Sequence, residues 1–430
     1  MAPPTALPAA QLPSRRTAYL ALALLTAINL LNYLDRYVVA PLVTSLKHDM
    51  GLSDTQLGWL LPAFILVYML AAPLFGLWGD RGRRTHPMAL GIGLWSLATM
   101  LSGLAQGYGQ LLAARALVGV GEAAVVAITP ALLADLFVPA ARGRVFAFFN
   151  AALPVGAALG YVVGGLVGQH FGWRAAFFIA GVPGLALALA ALRLPDPPRG
   201  IQEGVAMGRG APAPPPLELY RGLLRRRPYL VLVLGYAAYT YALGGLAYWM
   251  PTFLERVRGL PKERAAADFG LIVLATGLIG TLAGGYLADR LGRFNRQAYT
   301  AFCGVVTVAA APVAWLALAA PERSVYLPAI VVAQLLLFMS TGPVNAALVN
   351  AVSPLERASA AAFTMITIHL LGDVPSPVLI GYVSDRLTPR LGEAASLERA
   401  VLMVPLAILV AGLTWLAAAR AAARAAGRGP

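Results

Sequence analysis

Twelve long apolar segments constrain this chain more than any other feature of its sequence. A bilayer-spanning α-helix needs about twenty consecutive, mostly apolar residues, and it must satisfy its backbone hydrogen bonds internally. The alternating pattern of membrane β-strands is missing from these segments. We therefore predict an all-α membrane protein with twelve transmembrane helices. The predicted spans are 17–46, 54–78, 87–105, 110–137, 145–169, 175–194, 228–254, 265–287, 297–319, 325–351, 358–383 and 397–419.

Composition excludes a soluble protein. Hydrophobic residues make up 59% of the 430 residues and charged residues only 12%, whereas soluble domains carry about 25% charged residues. In a soluble protein, the net charge of +14 would suggest nucleic acid as a partner. Here the arginines lie between the apolar segments, so we expect membrane lipids and no nucleic acid as partners.

Arginine placement predicts the orientation of the chain. Basic residues cluster in alternate loops and in the C-terminal tail, and such segments stay on the cytoplasmic side. Both termini are therefore expected in the cytoplasm. The bias toward Ala, Arg, Gly and Pro is typical of GC-rich bacteria, which favours a multi-pass protein of a bacterial inner membrane. The clustered arginines are Arg81, Arg83, Arg84, Arg142, Arg144, Arg225, Arg226, Arg227, Arg290, Arg293, Arg296, Arg420, Arg424 and Arg428.

An internal repeat divides the chain into two halves. The segment around Asp80 at the end of the second span has a counterpart around Asp289 at the end of the eighth. Parallel repeats of this kind are common in transporters, with the substrate path between the halves. We predict two pseudo-symmetric six-helix bundles, 1–195 and 228–430. They are joined by a proline-rich, basic cytoplasmic linker, 196–227.

The repeated segment resembles the signature loop of the major facilitator superfamily, G-x-L-x-D-R-x-G-R. The copy at 285–293 matches fully, while the copy at 76–84 has Trp78 and Arg83 at two motif positions. The resemblance implies the superfamily fold and a gating latch, in which acids and arginines at helix ends pair. A basic turn that only sets topology is the alternative. The gating residues are Asp80, Arg81, Arg84, Asp289, Arg290 and Arg293.

Shorter strings narrow the family further. These strings resemble spinster-like transporters: Asn32-Tyr-Leu-Asp35-Arg36, Gly119-Val-Gly-Glu122-Ala, Leu153-Pro-Val-Gly156, Leu194-Pro-Asp-Pro-Pro-Arg-Gly200 and His369-Leu-Leu-Gly-Asp373. The resemblance implies a secondary transporter of a lysophospholipid or a sphingosine 1-phosphate-like lipid. It also implies that an acid in the first span and an acid in the fourth act in proton coupling, which corresponds to Asp35 and Glu122.

Ionisable residues inside spans point to function by themselves, because each costs about 2.5–3.5 kcal/mol near the bilayer centre. Asp35, Arg36, Arg115 and Glu122 carry no net charge together, so they can share a cavity if they pair. An anionic substrate that competed for an arginine would release an acid to take up a proton. The alternative is a fixed ion-pair network that only aligns helices. Asn29 and Asn32 share the helical face of Arg36 and join it and Arg115 as predicted substrate-binding residues.

The second half offers a different chemistry. Tyr236, Tyr239 and Asn345 are candidates for the wall of a cavity that accepts a long apolar tail. His369 and Asp373 stand four residues apart on one helix face. They form a second candidate titratable pair and are further predicted substrate-binding residues, although a lone histidine is commonly a packing residue. Tyr248 and Trp249 could equally be interface anchors. Gly244 and Gly245 could hinge the helix or let it pack closely.

Other function classes are disfavoured. No lysine follows a glycine as a Walker loop requires, and no hydrolase or metalloprotease motif occurs, so we expect neither an ATP-driven pump nor an enzyme. A transporter-like sensor is the third class, and the coupling charges argue against it. We expect no cofactor, no metal site and a monomer. A proton-coupled transporter of a small organic anion, sugar or drug remains the alternative to a lipid transporter.

Overall fold

The computed structural model describes residues 13–199, 201–203, 216–292, 297–352 and 357–426, which are almost entirely helical and contain no β-strand. Twelve helical stretches in this part of the chain are long and apolar enough to cross a membrane. The predicted all-α fold with twelve spans is therefore confirmed. The stretches are Arg15–Met50, Asp54–Gly79, Thr85–Leu104, Tyr108–Leu136, Arg144–His170, Gly172–Ala191, Arg227–Arg256, Lys262–Gly292, Ala298–Ala319, Arg323–Asn350, Ala360–Leu391 and Glu393–Ala423.

The chain forms two compact units. Unit 1 comprises Met1–Val39 and Ala63–Pro212, and unit 2 comprises Ala40–Pro62 and Ala213–Pro430. Residues 40–62 cover the end of the first span and the start of the second, yet they pack with unit 2.

The described part of unit 1 contains seven α-helices. A serine N-cap begins the first of them, since Ser14 Oγ accepts a hydrogen bond from the Thr17 backbone N–H at 3.1 Å. α5 packs on α6 and α9, and α1 packs on α8. The helices are α1 (Arg15–Tyr37), α4 (Leu60–Arg81, whose first turn lies in unit 2), α5 (Thr85–Leu104), α6 (Tyr108–Leu136), α7 (Pro139–Asn150), α8 (Ala152–His170) and α9 (Gly172–Ala191).

Unit 2 contains the short helices α2 (Val43–Met50) and α3 (Asp54–Gly58) together with the second set of long helices. α13 packs on α14 and α19, and α17 packs on α3. The remaining helices are α10 (Pro216–Arg225), α11 (Arg227–Arg256), α12 (Lys262–Gly292), α13 (Ala298–Ala319), α14 (Arg323–Phe338), α15 (Thr341–Asn350), α16 (Arg357–Ile368), a π-helical turn (His369–Asp373), α17 (Pro375–Leu391), α18 (Glu393–Val401) and α19 (Met403–Ala426).

Glycines set how closely the helices of unit 1 approach one another. A Cβ atom added at Gly91 of α5 would lie 2.6 Å from the carbonyl oxygen of Gly121 in α6. A Cβ added at Gly121 would lie 2.6 Å from the backbone nitrogen of Trp95. Small residues let membrane helices pack backbone to backbone. This contact therefore requires glycine on both helices.

We predict that Gly91→Ala destabilises the protein by about 1–3 kcal/mol, because the added methyl group overpacks the α5–α6 contact. Gly93→Ala is the matched control on the same helix, since a Cβ there would meet Ala188 Cβ at an ordinary 3.9 Å. Thermal unfolding in detergent measures both changes. Equal unfolding temperatures for the two variants would contradict the predicted packing.

A buried acid binds the 40–62 segment into unit 2. Asp54 is 0% exposed. Its carboxylate accepts hydrogen bonds from Arg256 Nη1 at 2.8 Å, Lys47 Nζ at 3.1 Å and Ser384 Oγ at 2.8 Å. The Asp385 carboxylate in turn accepts the backbone N–H groups of Asp54 and Thr55 at 2.9 and 2.8 Å. The short α3 thus buries Asp54 against α11 and α17, although the residue lies at the very start of a predicted span.

We predict that Asp54→Asn destabilises the protein by about 3–5 kcal/mol, because it removes the carboxylate that neutralises the buried Arg256. Glu393→Gln is the matched control. Its side chain is 42% exposed and pairs with the same Lys47 at 3.3 Å, and an exposed pair contributes about 0–1 kcal/mol. Thermal unfolding of both variants in one detergent provides the comparison. A control as damaging as Asp54→Asn would refute the burial argument.

Candidate functional site

An ion pair joins α1 to α6 in the interior of unit 1. Arg36 Nη2 donates to Glu122 Oε2 at 2.8 Å, and the Glu122 side chain is fully buried. The two residues lie 86 positions apart in sequence. The predicted charge set is thus brought together, and each charge is neutralised across helices.

Asp35, the neighbour of Arg36, forms the second pair of the site. Its Oδ2 lies 3.5 Å from Arg115 Nη1, and Arg115 Nη2 donates to the Asp35 backbone oxygen at 3.4 Å. Thr99 of α5 donates its hydroxyl to Asp35 Oδ1 at 2.8 Å. Asp35 and Arg115 are 0% and 1% exposed, respectively. Two acids and two arginines therefore sit in one buried region with balanced charge, which we call the charge site.

Three aromatic rings surround the guanidinium of Arg36. Its Cζ lies 5.1 Å from the ring centroid of Tyr33, 4.8 Å from Phe64 and 5.8 Å from Tyr68. Contacts of a cation with ring faces contribute about 0.5–2 kcal/mol each when partly desolvated. The rings help to hold Arg36 on Glu122. Sequence reasoning missed them, because single aromatic residues in apolar spans carry no distinctive signal.

Several polar atoms of the charge site have no hydrogen-bond partner within the described part of the chain. They include both amide atoms of Asn32, Nε of Arg115, Nε of Arg36 and Oε1 of Glu122. Asn32 is 1% exposed. Unpartnered buried polar groups are costly, and native proteins keep few of them. Asn29, by contrast, donates to the Phe149 backbone oxygen at 3.1 Å and is a packing residue.

Glycines bring the helices of the charge site close together. A Cβ at Gly119 of α6 would lie 3.0 Å from the Tyr68 backbone nitrogen of α4. A Cβ at Gly156 of α8 would lie 2.8 Å from Tyr33 Cβ of α1. These contacts give the small residues in the fourth and fifth spans a structural role. They also place Glu122, one turn after Gly119, beside the aromatic rings.

Unit 2 contains a separate cavity of about 410 Å³ between α11, α15 and α16. Tyr236 and Asn345 line it and share a side-chain hydrogen bond, while most other lining residues are apolar. Tyr239 lies elsewhere. It is buried, donates its hydroxyl to the Leu337 oxygen at 2.6 Å and packs on Trp415. Tyr239 therefore has a packing role and does not line this cavity.

His369 and Asp373 form a hydrogen-bonded pair in the π-helical turn. His369 Nδ1 lies 3.0 and 2.9 Å from the two carboxylate oxygens. π-turns inside α-helices frequently occur at functional sites. A Cβ at Gly244 would lie 2.7 Å from Asp373 Cβ, and α11 is unbroken there. Gly244 therefore permits close packing against the pair.

Tyr248 and Trp249 are buried in unit 2, so they are not interface anchors. The Tyr248 hydroxyl donates to the Leu57 oxygen, and Trp249 Nε1 donates to the Pro377 oxygen at 3.1 Å. Both residues contact the segments that Asp54 also joins. Their positions near a span end are compatible with either an interface anchor or a buried residue. The tertiary packing shows that they are buried.

The predicted gating residues differ in their surroundings. Arg84 is buried in unit 1. Its guanidinium forms ion pairs with the carboxylates of Asp135, at 2.5 Å, and Asp196, at 2.6 Å. Asp289 is exposed and accepts the Tyr299 hydroxyl at 2.9 Å; Arg290 lies 3.5 Å from the Tyr286 hydroxyl. The side chains of Asp80 and Arg81, and the whole of Arg293, lie outside the described part.

The partners of Arg84 were missed by sequence reasoning. Asp196 belongs to the Leu-Pro-Asp-Pro-Pro-Arg string after α9, and it also accepts the Arg84 backbone N–H at 2.9 Å. Arg199 of the same string donates to the Gly79 and Gly82 oxygens at 2.5 and 2.9 Å. The string therefore packs on the end of α4. In the sequence, the acid and the arginine of this string are flanked by prolines next to a basic turn. This pattern could have indicated the contact with Arg84.

Metal-ligand chemistry is not apparent in the described residues, which contain no group of three or more His, Cys, Asp or Glu side chains arranged around a common point.

Comparison with known families identifies the chain. The family model described as Major Facilitator Superfamily matches residues 25–372. Protein spinster homolog 1 of Mus musculus is 38% identical over 395 residues, which cover 87% of this chain and 74% of the relative. Protein spinster homolog 3 of Danio rerio is 34% identical over 427 residues, which cover 94% and 85%.

Solved structures share the fold. A bacterial homologue of the human lysosomal transporter Spinster, in an inward-facing and unoccupied conformation, matches with a TM-score of 0.84 at 24% identity, over 95% of this chain and 98% of that chain. The nucleoside transporter NupG matches with a TM-score of 0.73 at 14% identity, over 93% and 98%. Together with the sequence matches, the twelve spans establish that the chain belongs to the major facilitator superfamily and, within it, to the spinster-like transporters.

Proposed function

We propose that this chain is a proton-coupled secondary transporter that moves an amphiphilic lipid with an anionic head by alternating access. The observation that carries the proposal is the charge site. Two buried acids pair there with the buried Arg115 and the partly buried Arg36. Nitrogen atoms of Asn32, Arg36 and Arg115 have no hydrogen-bond partner among the described residues. These donors suit an anionic group.

Charge balance links anion binding to proton binding. The site is neutral when both pairs are formed, so an incoming anion that takes an arginine leaves a carboxylate unpaired. An uncompensated buried charge costs several kcal/mol. A proton on Glu122 or Asp35 removes that cost. Substrate and proton would therefore bind together, which is the basis of coupled transport.

We predict that Glu122→Gln and Asp35→Asn abolish uptake driven by an imposed pH difference of either sign in proteoliposomes, because the amides cannot exchange a proton. Substrate exchange without a gradient should persist. Asp268→Asn is the control, since Asp268 pairs with the partly exposed Arg323 at 2.9 Å away from the charge site. Full coupling in both variants would assign the pairs a purely structural role.

The proposed lipid substrate rests on the family resemblance and on the chemistry of each unit considered by itself. The charge site of unit 1 offers cationic and amide donors for a phosphate. The cavity of unit 2 is lined mainly by aliphatic side chains, with one polar edge at Tyr236 and Asn345, which is a chemistry suited to an apolar chain.

We predict that lysophosphatidylglycerol or sphingosine 1-phosphate raises the unfolding temperature, and that Asn32→Leu weakens this binding at least tenfold. Hydrogen bonds to charged groups contribute about 1.5–3 kcal/mol. The unpartnered Asn32 amide loses no internal bond when it is replaced. Asn29→Leu is the matched control, and it should lower basal stability while it preserves the ligand-induced shift. Stabilisation only by glycerol 3-phosphate or sugar acids would reject a lipid substrate.

We also infer that the protein resides in a bacterial inner membrane with both termini in the cytoplasm. Exposed Arg225, Arg226 and Arg227 at the start of α11 support this orientation, because basic residues at span ends are retained on the cytoplasmic side. On this orientation, α1, α7 and α11 begin at the cytoplasmic side.

A further inference from the structure

An open groove between α1 and α7 of unit 1 has no role in the transport proposal. Its volume is about 340 Å³, which falls in the range of about 300–1,000 Å³ typical of ligand sites. The Tyr19–Phe137 pair, with ring centroids 5.4 Å apart, lies beside it. The walls include Tyr19, Leu22 and Ala23 of α1 and Arg144, Val145 and Phe148 of α7.

The groove is apolar with a basic end. Tyr19 and Phe148 are 59% and 57% exposed, and Arg144 is exposed as well. No acidic side chain occurs among the described lining residues. Arg15, also exposed, lies one turn before Tyr19 on the same face of α1. Arg15 and Arg144 therefore place positive charge near the N-terminal ends of α1 and α7.

Arg142 and Arg144 have different environments, although they are two residues apart. Arg142 donates to the Ala134 and Phe137 backbone oxygens at 2.8 and 3.3 Å, so its guanidinium is hydrogen-bonded within the protein. Arg144 instead borders the groove. The groove thus offers one cation to a ligand, next to an apolar channel.

We propose that this groove binds an anionic phospholipid of the surrounding bilayer, with the phosphate at Arg144 and an acyl chain along α1 and α7. Charge complementarity and apolar walls favour this occupant over a water-soluble anion, which would leave the walls uncovered. Basic pockets between helices at the cytoplasmic side attract anionic lipid headgroups. The proposal concerns a lipid that stays bound, and it does not depend on the identity of the transported substrate.

Native mass spectrometry of the full chain, titrated with dioleoyl phosphatidylglycerol or dioleoyl phosphatidylcholine, tests the site. We expect wild type to retain one phosphatidylglycerol in preference to phosphatidylcholine. Arg144→Gln should weaken that retention about fivefold, the change expected for one arginine near a lipid phosphate. Ala23→Trp should weaken it as well, because the indole fills the groove while Arg144 remains.

Arg193→Gln is the matched control, since Arg193 is an exposed arginine just after α9 that does not line the groove. Unchanged unfolding temperatures confirm that the variants are folded. Undiminished phosphatidylglycerol retention in both groove variants would overturn the proposal. An equal loss in Arg193→Gln would also overturn it, since the binding would then be non-specific. If an equal concentration of lysophosphatidylcholine displaced the bound phosphatidylglycerol, the groove would be a site for single-chain lipids and the proposal would be rejected.

Discussion

Charge that is buried in membrane-spanning helices has to be neutralised by the protein itself, because the bilayer core supplies no water. Three clusters in the described part of the chain show how it meets that requirement. Glu122 and Asp35 pair with arginines in the charge site. Arg84 is held by two carboxylates where α4 ends, and Asp54 is held by two cations in unit 2. Each cluster joins helices that are distant in sequence.

Glycine makes these pairings geometrically possible. Short side chains such as Asp and Glu reach a partner on another helix only where the two backbones approach closely. Gly119 and Gly121 let α6 press on α4 and α5, and Gly156 lets α8 press on α1. The same residues that form a packing motif in sequence therefore set the distance between Glu122 and the rings around Arg36. The close approach of these helices therefore accounts for both their packing and the pairing of their charges.

The charge site itself was largely predictable, since an ionisable residue inside an apolar span is unusual enough to be recognised without a structure. Asp35, Arg36, Arg115 and Glu122 were found in this way. Their pairing was not predictable: Arg36 contacts Glu122, whereas Arg115 contacts the neighbouring Asp35. The burial of Asp54 and Tyr248 was not predictable either. They lie near span ends, where sequence cannot distinguish a solvated or lipid-facing residue from one that a neighbouring helix buries.

Hydrophobic length and motif spacing are local properties of the chain, so the membrane class, the twelve spans, the repeat and the family could be predicted from sequence. Which residues meet depends on the tertiary structure. It places residues 40–62 in unit 2, gives Arg84 two carboxylate partners, makes Asn29 a packing residue and leaves the Asn32 amide without a hydrogen-bond partner among the described residues. These outcomes depend on helix approach and rotation, which arise from contacts between segments far apart in sequence.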